Sequence, residues 1–564
     1  MMNFSQDPLV AEQEMHAIIY YLTAFGYVDG EMDHAEKSFI QQHIGRLVEH
    51  RAGQTLGADV ARYRDVVTRW TTHFHEVLDQ VEDEIQAHFT ESVAEGESTR
   101  GFVLAKLKLR CFELFRRFGE DERAGLLATV DELMLADGSV HPNEQAFRNE
   151  LFELLRAPVE LHEDDIELIE SGEVVITDVR QVEPSEADHP FFSSFEFDYA
   201  KDPATFARQS QGDLELMRRF VAKLDEQRRA GRGRLAGAAD FSAFAGSAPF
   251  LDGHVYVVPP VAGREYELLV LGDLHGCYSC LKAALLQADF FRKVAAHRAA
   301  PQQSPYMGLV LLGDYIDRGR FSYSGIVRTA MQLFVTVPEH VFVLRGNHEY
   351  YVEINGKVLA PVRPSEAMSS LSAIAPNELF AAYMRLFEQL PNTLVFDRML
   401  FVHAGIPREK TMADKWKGLE SLNDPEIRFE MLWSDPSEAE AVPEALQRDN
   451  ARFPFGRAQF RHFMHRLGLT TMVRGHERVV EGFRKIYDDP DGMLLSLFSA
   501  GGADNDDLPL TSNYRKVTPM ALSVRHKDGV SQLAPFAIDW QRYNDPRYNA
   551  FFRDTVEIPG GLGA

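Results

Sequence analysis

The sequence has 564 residues, enough for three or four domains at roughly 150 residues each. An apolar fraction of 45% is ordinary for a globular protein, whereas 85 acidic against 59 basic residues give a formal charge of -26. So acidic a chain lacks the broad basic faces that nucleic acid and anionic membranes require, so we predict neither as a partner. Its 3 cysteines make no disulfide framework and no basic, apolar leader opens the chain, so we predict a cytoplasmic protein.

Residues 1–160 are predicted to form an all-helical domain. Apolar residues recur at spacings of three and four, as at Ile18 and Leu22. Two short segments, 29–36 and 137–144, repeat one pattern: Asp-Gly, an apolar residue, a capping position, and a Glu three residues further on. Such a repeat predicts two helix–turn–helix units.

The repeated pattern resembles the TerB-like family of tellurite-resistance helical domains. That resemblance implies a metal-associated or partner-binding module, so we expect the domain to bind a regulatory partner and to regulate or localise the rest of the protein. The simpler alternative is that Asp29, Glu36, Asp137 and Glu144 only cap helices.

The middle of the chain changes character. Residues 161–249 are predicted to be an acidic linker, a helix and a Gly/Ala-rich connector, although their aromatic stretch would also suit an arm that packs on a neighbouring domain. A strand–loop–helix pattern then predicts an α/β catalytic domain over 250–514. The remainder, 515–564, is predicted to be a tail packed on that domain, with a hairpin of strands 520–525 and 530–536.

Five apolar runs in the α/β part end in ligand-type side chains, each with a glycine beside them. Because ligands of α/β sheets bind beyond the carboxyl ends of strands, we expect these side chains to meet. The five are G-D-L-H-G after 268–271, G-D-Y-I-D-R-G after 309–312, R-G-N-H-E after 341–344, H-A-G-I-P after 400–402, and R-G-H-E after 471–473.

The chemistry of these side chains points to metal ions. Asp, Asn and His supply oxygen and imidazole donors without a thiolate, a set that suits Mn²⁺, Fe or Zn²⁺ with open positions. Six donors are too many for one catalytic metal and suit two metals that share a bridging ligand. A pair of metals can clamp the attacking and leaving oxygens of a phosphoryl displacement.

The motifs resemble, in order, the G-D-x-H-G, G-D-x-x-D-R-G and G-N-H-E signatures of the phosphoprotein phosphatase (PPP) family, a branch of the calcineurin-like metallophosphoesterases. Further landmarks of the serine/threonine phosphatases are resembled at 432–436 (L-W-S-D-P) and 497–500 (L-F-S-A). The resemblance covers roughly 255–505. It implies an α/β metallophosphoesterase domain in that range, with a central β-sandwich flanked by helices. With the all-α domain before it, we predict a multidomain protein.

The resemblance also implies roles, residue by residue. His348 would protonate the leaving alkoxide, Asp317 would orient the His348 imidazole, and Arg318 would bind the phosphate. A hydroxide between two metal ions, Mn²⁺ by preference, would attack phosphorus in line, with Asp314 bridging the metals. The residues that match the family's metal ligands are Asp273, His275, Asp314, Asn347, His403 and His476.

Two departures from the family pattern stand out. The family's second phosphate-gripping arginine has no clean counterpart; Arg448 and Arg452 both lie near the matching Phe-Gly pair, and we choose Arg448 narrowly. The family's tyrosine after Ser499-Ala500 is missing from 501–507, so we expect no tyrosine over the site from that loop. We predict a metal-dependent phosphomonoesterase for phosphoserine and phosphothreonine in proteins. A hydrolase of small phosphoesters or dinucleoside polyphosphates on the same dimetal core, or an inert scaffold, are the alternatives.

Overall fold

The computed structural model describes residues 4–5, 7–56, 60–94, 96–116, 118–135, 140–156, 173–354, 357–359, 362–448, 450–489 and 492–553. The chain divides into two compact units. The first comprises Met1–Leu161 and Ala441–Asn450, and the second comprises His162–Glu440 and Ala451–Ala564. Across the described ranges, no helix combines the length and the apolar character that crossing a membrane demands.

The first unit is helical, as predicted. Its first helix begins at Pro8 because the Asp7 side chain accepts hydrogen bonds from the N–H groups of Leu9 and Val10. The apolar face of that helix, with Leu22 among its fully buried residues, lies in the core of the unit. The elements are α1 (Pro8–Gly26), α2 (His34–Leu56), α3 (Val60–His88), the two-residue strand β1 (Val93–Ala94), α4 (Thr99–Phe115), α5 (Glu120–Leu133) and α6 (Pro142–Arg156).

The repeated segments of the first unit form helix caps. The Asp33 N–H donates to Glu36 Oε2 at 2.7 Å, and the Glu36 N–H donates to Asp33 Oδ1 at 2.7 Å, which is a complete capping box. In the second copy, the His141 N–H donates to Glu144 Oε2 at 2.8 Å. Asp137 lies outside the described residues. Capping is therefore confirmed for both Glu residues, and the TerB-like resemblance stays a prediction.

Two mixed sheets form the framework of the second unit. Their strand orders are β2-β19-β18-β5-β6-β7 and β16-β17-β15-β12-β11-β4-β3. Apolar residues from both sheets, such as Val270 and Phe401, lie in one continuous core, so the sheets form a sandwich. The strands are β2 (Glu173–Ile176), β3 (Phe250–Asp252), β4 (Val255–Val258), β5 (Tyr266–Leu271), β6 (Tyr306–Leu311), β7 (Val341–Val343), β8 (Val352–Ile354), β9 (Lys357–Leu359), β10 (Val362–Arg363), β11 (Thr393–Phe396), β12 (Met399–Val402), β13 (Asp435–Pro436), β14 (Pro454–Phe455), β15 (Thr471–Arg474), β16 (Phe483–Asp489), β17 (Gly492–Leu497), β18 (Met520–Lys527) and β19 (Val530–Ala537).

Helices flank this sandwich, so the predicted fold class is confirmed. Helix α8 begins at Pro203, where the Asp202 side chain accepts hydrogen bonds from the N–H groups of Ala204 and Thr205. The helices after the first unit are α7 (Pro190–Ser193), α8 (Pro203–Gly231), α9 (Tyr278–Gln287), α10 (Phe290–Ala299), α11 (Arg328–Thr336), α12 (Glu366–Ile374), α13 (Asn377–Gln389), α14 (Glu409–Lys415), α15 (Pro425–Glu430), α16 (Glu444–Gln447) and α17 (Arg457–Leu467). Of these, α16 belongs to the first unit.

The five predicted runs form strands whose bounds agree to within three residues. Strands β5, β6 and β7 are parallel neighbours in one sheet, with Leu311 opposite both Leu271 and Val343. Strands β12 and β15 are parallel neighbours in the other, with Phe401 opposite Val473. Parallel pairing aligns the carboxyl ends of these strands, which places the polar residues that follow them together.

The described part of the predicted linker is not a solvated connection. Strand β2 pairs with β19 at the edge of a sheet, and α7 and α8 pack on the catalytic fold. Residues 173–231, the arm, also supply carboxylates that pair with buried cations of the catalytic fold. Arg328 donates hydrogen bonds to Asp213 at 2.9 Å and 3.0 Å, and Lys282 Nζ lies 2.5 Å from Glu196 Oε1. Because a buried charge is costly without a partner, the aromatic arm is the correct alternative. The acidic run 163–170 lies outside the described residues.

The predicted C-terminal hairpin forms, with Lys527 paired with Val530 at its turn. It is not an appendage, however. Strand β18 pairs antiparallel with β5 along six residues, from Ala521 opposite Leu271 onward, so the hairpin lies inside the six-stranded sheet. The sheet that carries the site is therefore completed by residues that come after the predicted catalytic domain.

Candidate active site

Asp314 lies at the centre of a cluster of buried polar side chains. Its Oδ2 is 3.4 Å from His275 Nε2, and its Oδ1 is 3.3 Å from His403 Nε2. Two groups of side chains each offer ligand atoms that lie within 4.8 Å of one another. The first group is His275, Asp314 and His348, and the second is Asp314, His403 and His476. Asp314 belongs to both groups, which is the geometry of a bridging ligand.

Asp273 and Asn347 complete the cluster. Asp273 Oδ2 is 3.7 Å from His275 Nε2, while its Oδ1 accepts a hydrogen bond from the His476 N–H at 2.8 Å. Asn347 Oδ1 lies 2.9 Å from His403 Nε2 and 3.2 Å from His476 Nδ1. The structure thus brings together all of the residues that the sequence proposed as metal ligands.

The histidines present lone pairs to the cluster. His275 Nδ1 lies 2.9 Å from the Ile316 carbonyl oxygen, and His403 Nδ1 lies 3.2 Å from the Leu312 carbonyl oxygen. A carbonyl accepts, so the proton is on Nδ1 and the unprotonated Nε2 faces Asp314. Backbone carbonyls commonly orient metal-binding histidines in this way.

The oxygen donors also fit metal ions. Asp273 Oδ2 is buried without a hydrogen-bond partner, which is costly for a carboxylate oxygen. The Asn347 side-chain oxygen lies 3.1 Å from Asp314 Oδ1, so two acceptors face each other unless the amide is rotated by half a turn. Bound cations would satisfy Asp273 Oδ2 and would also remove the conflict between the Asn347 oxygen and Asp314 Oδ1. These oxygen and imidazole donors therefore fit a pair of divalent metal ions that share Asp314.

Burial shifts the ionisation of the cluster strongly. It raises the pKa of Asp273 to about 7, and burial with the charges of Asp273 and Glu349 raises the pKa of Asp314 well above its ordinary value. Burial likewise holds the pKa of His275 and of His403 well below the usual range. The cluster therefore disfavours both bare anions and imidazolium ions, and bound cations would relieve the anions.

The turns that carry the cluster have left-handed backbone. Gly313, with φ of 111°, precedes Asp314, and a Cβ there would lie 2.4 Å from the backbone nitrogen of Gly346. Such conformations cost about 1–3 kcal/mol each in ordinary residues and persist where the surroundings impose them. Five of the eight described non-glycine residues with positive φ belong to the predicted site: His275, Asp314, Asp317, Arg318 and His476.

Glu349 ties two of these turns together. Its carboxylate accepts hydrogen bonds from the N–H groups of Asp314 and Tyr315, both at 2.8 Å, and of Gly346 at 3.0 Å. Burial raises its pKa to about 7. The sequence contained Glu349 in a motif without giving it a role; here it holds the backbone that carries the central aspartate.

His348 and Asp317 form a close buried pair. His348 Nδ1 lies 2.5 Å from Asp317 Oδ2, and Asp317 Oδ1 accepts a hydrogen bond from the Ala367 N–H at 2.8 Å. Burial raises the pKa of Asp317 to about 6. Burial, followed by the guanidinium groups of Arg318 and Arg452, lowers the pKa of His348 well below its ordinary value. The geometry is that of an imidazole oriented by a carboxylate.

The structure favours Arg452 over Arg448 as the second arginine of the site. That side chain is 63% exposed and pairs with Glu444 in the segment that clusters with the first unit. Arg452 is instead 4% exposed, lies 2.8 Å from Asp435 Oδ2, and is close enough to His348 to lower its pKa. The two arginines are near neighbours in sequence, and only the buried acceptor Asp435 distinguishes them.

Asp435 and Arg474 were missed by the sequence argument. Asp435 Oδ2 accepts a hydrogen bond from Arg452, and Asp435 Oδ1 accepts one from Arg474 Nη2 at 2.9 Å. The Arg474 side chain is fully buried and also bonds Glu477 at 2.8 Å. Asp435 stands in the L-W-S-D-P landmark and Arg474 ends β15, so a charge at a predicted strand end was the available signal.

A tyrosine also reaches the cluster. Residues 501–507 supply none, as expected, but Tyr514 comes from the short 3-10 turn Asn513–Lys516 further along the chain. Its ring lies 5.2 Å from the His275 ring, and its hydroxyl accepts a hydrogen bond from Arg318. The departure from the family pattern in that loop therefore does not leave the site without an aromatic neighbour.

Comparisons with known proteins identify a family and relatives to which this chain is similar. Residues 266–479 match the calcineurin-like phosphoesterase family. Serine/threonine-protein phosphatase BSL2 of Arabidopsis thaliana is 30% identical over 251 residues, 43% of this chain and 23% of that protein. A protein of Encephalitozoon cuniculi named "Probable serine/threonine-protein phosphatase" is 25% identical over 283 residues, 48% of this chain and 53% of that protein. The chain thus spans about half or less of the length of these relatives.

Among solved structures, a protein serine/threonine phosphatase from Saccharomyces cerevisiae, described as similar to human phosphatase PP5, is 16% identical. It aligns with a TM-score of 0.35 over 57% of this chain and 90% of that one. The family match covers the strands that carry Asp273, Asp314, Asn347, His403 and His476. The chain contains a calcineurin-like metallophosphoesterase domain with serine/threonine protein phosphatase homologues.

Proposed function

We propose that this protein is a metal-dependent phosphomonoesterase that removes phosphate from phosphoserine and phosphothreonine in proteins. The observation that carries the proposal is the convergence on Asp314 of buried oxygen and imidazole donors, beside a guanidinium and an oriented imidazole. The names of the homologues favour a protein substrate over a dinucleoside polyphosphate.

The residues present divide the work between binding and proton transfer. Arg318 and Arg452 would bind the phosphoryl oxygens, since a guanidinium fork matches their geometry. His348 would protonate the leaving alkoxide through Nε2 while its Nδ1 stays bonded to Asp317. The same two guanidinium groups lower the pKa of His348, so a bound phosphate dianion that neutralises them would raise that pKa and favour the acid form.

Two divalent ions, Mn²⁺ by preference and Fe or Zn²⁺ as alternatives, would supply charge neutralisation and a water of lowered pKa. Asp273 and His275 would hold the first ion, and Asn347, His403 and His476 the second, with Asp314 shared. Glu349 would keep the Asp314 turn in place through the hydrogen bonds that it accepts.

The test is turnover of defined substrates by the purified full-length protein with added Mn²⁺. Phosphoserine and phosphothreonine peptides should release phosphate, and the variant His348→Asn should lose that activity while it retains bound metal. Hydrolysis of diadenosine tetraphosphate without phosphopeptide turnover would reject the proposal in favour of the small-molecule alternative.

We further propose that the enzyme is cytoplasmic and that its first unit regulates or localises it through a partner. Removing residues 1–156 tests the idea, because the arm from residue 173 belongs to the second unit and must stay. A deletion that reached residue 240 would also take away Asp213 and Glu196, the partners of buried cations. An unchanged rate, substrate range and cellular distribution would contradict the proposal.

A further inference from the structure

Arg318, the proposed phosphate ligand, is already paired with a carboxylate of this chain. Its Nη1 lies 2.8 Å from Glu366 Oε1. The Arg318 side chain is 12% exposed, whereas the Glu366 side chain is 51% exposed. The guanidinium therefore lies at the floor of the site, and the carboxylate that contacts it lies at the rim, where a substrate would arrive.

Helix α12 keeps this carboxylate in position. Glu366 is the first residue of that helix, whose Met368 and Leu371 are 5% and 3% exposed in the core of the unit. The next residue, Ala367, donates its N–H to Asp317 at 2.8 Å. Because the helix is anchored on the core and on the partner of the proposed acid, Glu366 is presented to Arg318 by a fixed element.

We propose that Glu366 is a specificity-determining residue that exchanges partners with the substrate. When the substrate binds, the Arg318 guanidinium breaks its ion pair with Glu366 and binds the phosphoryl group. The Glu366 carboxylate then forms an ion pair with a lysine or arginine side chain next to the phosphorylated residue. The proposal rests on the proposed function and names its preferred substrates: phosphorylated segments with a basic neighbour.

The exchange follows from charge. A phosphoryl oxygen within hydrogen-bond distance of the Arg318 guanidinium would lie within about 8 Å of the Glu366 carboxylate oxygen. Negative charges so close repel each other, and the carboxylate also loses its cation. A basic side chain on the substrate restores an ion pair to Glu366, whereas an acidic one adds a third negative charge. Basic neighbours are favoured and acidic neighbours are disfavoured.

Binding of inorganic phosphate to the metal-loaded protein tests the first half of the exchange. Removing the competing carboxylate with Glu366→Gln should tighten phosphate binding about ten-fold, measured by calorimetry. The matched control is Glu378→Gln, since Glu378 is an exposed glutamate in the first turn of the next helix, α13. In the Arg318→Gln background, Glu366→Gln should bring no gain. Equal or weaker binding by the single variant would overturn the exchange.

A pair of phosphopeptides tests the second half. The two peptides differ only in the residue beside phosphoserine, which is Arg in one and Glu in the other. The native protein should show a KM about ten-fold lower for the Arg peptide, and Glu366→Gln should bring the two KM values to within about two-fold while the kcat values change less. A preference that survives in Glu366→Gln, or that is missing from the native protein, would refute the selection.

The two measurements separate failure of this inference from failure of the proposed function. If no phosphopeptide is hydrolysed, the proposed function is wrong, and the phosphate titration still decides whether Glu366 competes for Arg318. If phosphopeptides are hydrolysed but Glu366→Gln changes neither measurement, the function stands and the partner exchange is wrong.

Discussion

The contact between His348 and Asp317 offers the sharpest mechanistic prediction. Replacing Asp317 by Asn removes a carboxylate whose Oδ2 lies 2.5 Å from His348 Nδ1, in a pair whose side chains are both 2% exposed. The amide keeps the shape and an acceptor for the Ala367 N–H, so the packing around it should be retained. What is lost is the charge that orients the imidazole and stabilises its protonated form.

The expected loss can be sized from this geometry. A hydrogen bond to a charged group contributes about 1.5–3 kcal/mol, and a buried one lies toward the upper end. If the Asp317 contact acts only while His348 gives up its proton, kcat should fall about 10- to 150-fold. KM should change little, since the phosphate is bound by other groups.

Steady-state kinetics on a phosphopeptide, with metal content measured in parallel, provide the assay. In a His348→Asn background, Asp317→Asn should cause no further loss, because both changes act through one imidazole. A substrate with a leaving group of low pKa, such as an aryl phosphate, should recover much of the lost rate, since it needs less help from an acid. A kcat within three-fold of the native value would refute the reasoning, as would equal losses on aryl and alkyl phosphates.

Three other predictions concern binding, metal content and acid stability. Arg452→Gln should raise KM for phosphopeptides about ten-fold or more, whereas Arg448→Gln should leave it within two-fold; the reverse order would restore the original assignment. Asp314→Asn should deplete both metal positions together and Asn347→Ala mainly one, as elemental analysis after dialysis would report; matching losses would contradict a shared ligand. Burial, with nearby guanidinium groups, lowers the pKa of His254 to about 3. Below pH 6.5 the His254 imidazole therefore takes up a proton in the unfolded chain but not in the folded protein. The free energy of unfolding should fall by about 2 kcal/mol between pH 7 and pH 5. His254→Gln should remove that loss in urea unfolding, and an unchanged pH dependence would count against it.

The sequence predicted the parts of the site that depend on local pattern. A short apolar run before a glycine marks a buried strand end, and the ligand-type side chains after it are adjacent in the chain. Asp273, Asp314, Asn347, His403 and His476 were all found by this reasoning, and the structure brings them together. Their positions follow from the parallel pairing of strands, which the βαβ pattern implied.

Other parts of the site depend on which distant segments meet, and no local pattern reveals that. Tyr514, from a short 3-10 turn, and Glu366, at the start of α12, lie outside the motifs, yet both contact Arg318. Arg452 and Arg448 have equivalent sequence surroundings, but only Arg452 faces a buried carboxylate. The two contacts of Arg318 join residues far apart in the chain.

The same limit explains the arm and the hairpin. From sequence alone, the acidic, aromatic stretch has the composition of a solvated linker. Only the structure shows that its Asp213 pairs with the buried Arg328 of the catalytic fold. By itself the sequence determined the helical unit, the strand ends and the candidate metal ligands, because strand and cap formation are local. Only the tertiary structure decided which arginine lies near His348, which carboxylate contacts Arg318 and which segments complete the sheet, because buried charges pair with whatever partner packing brings to them.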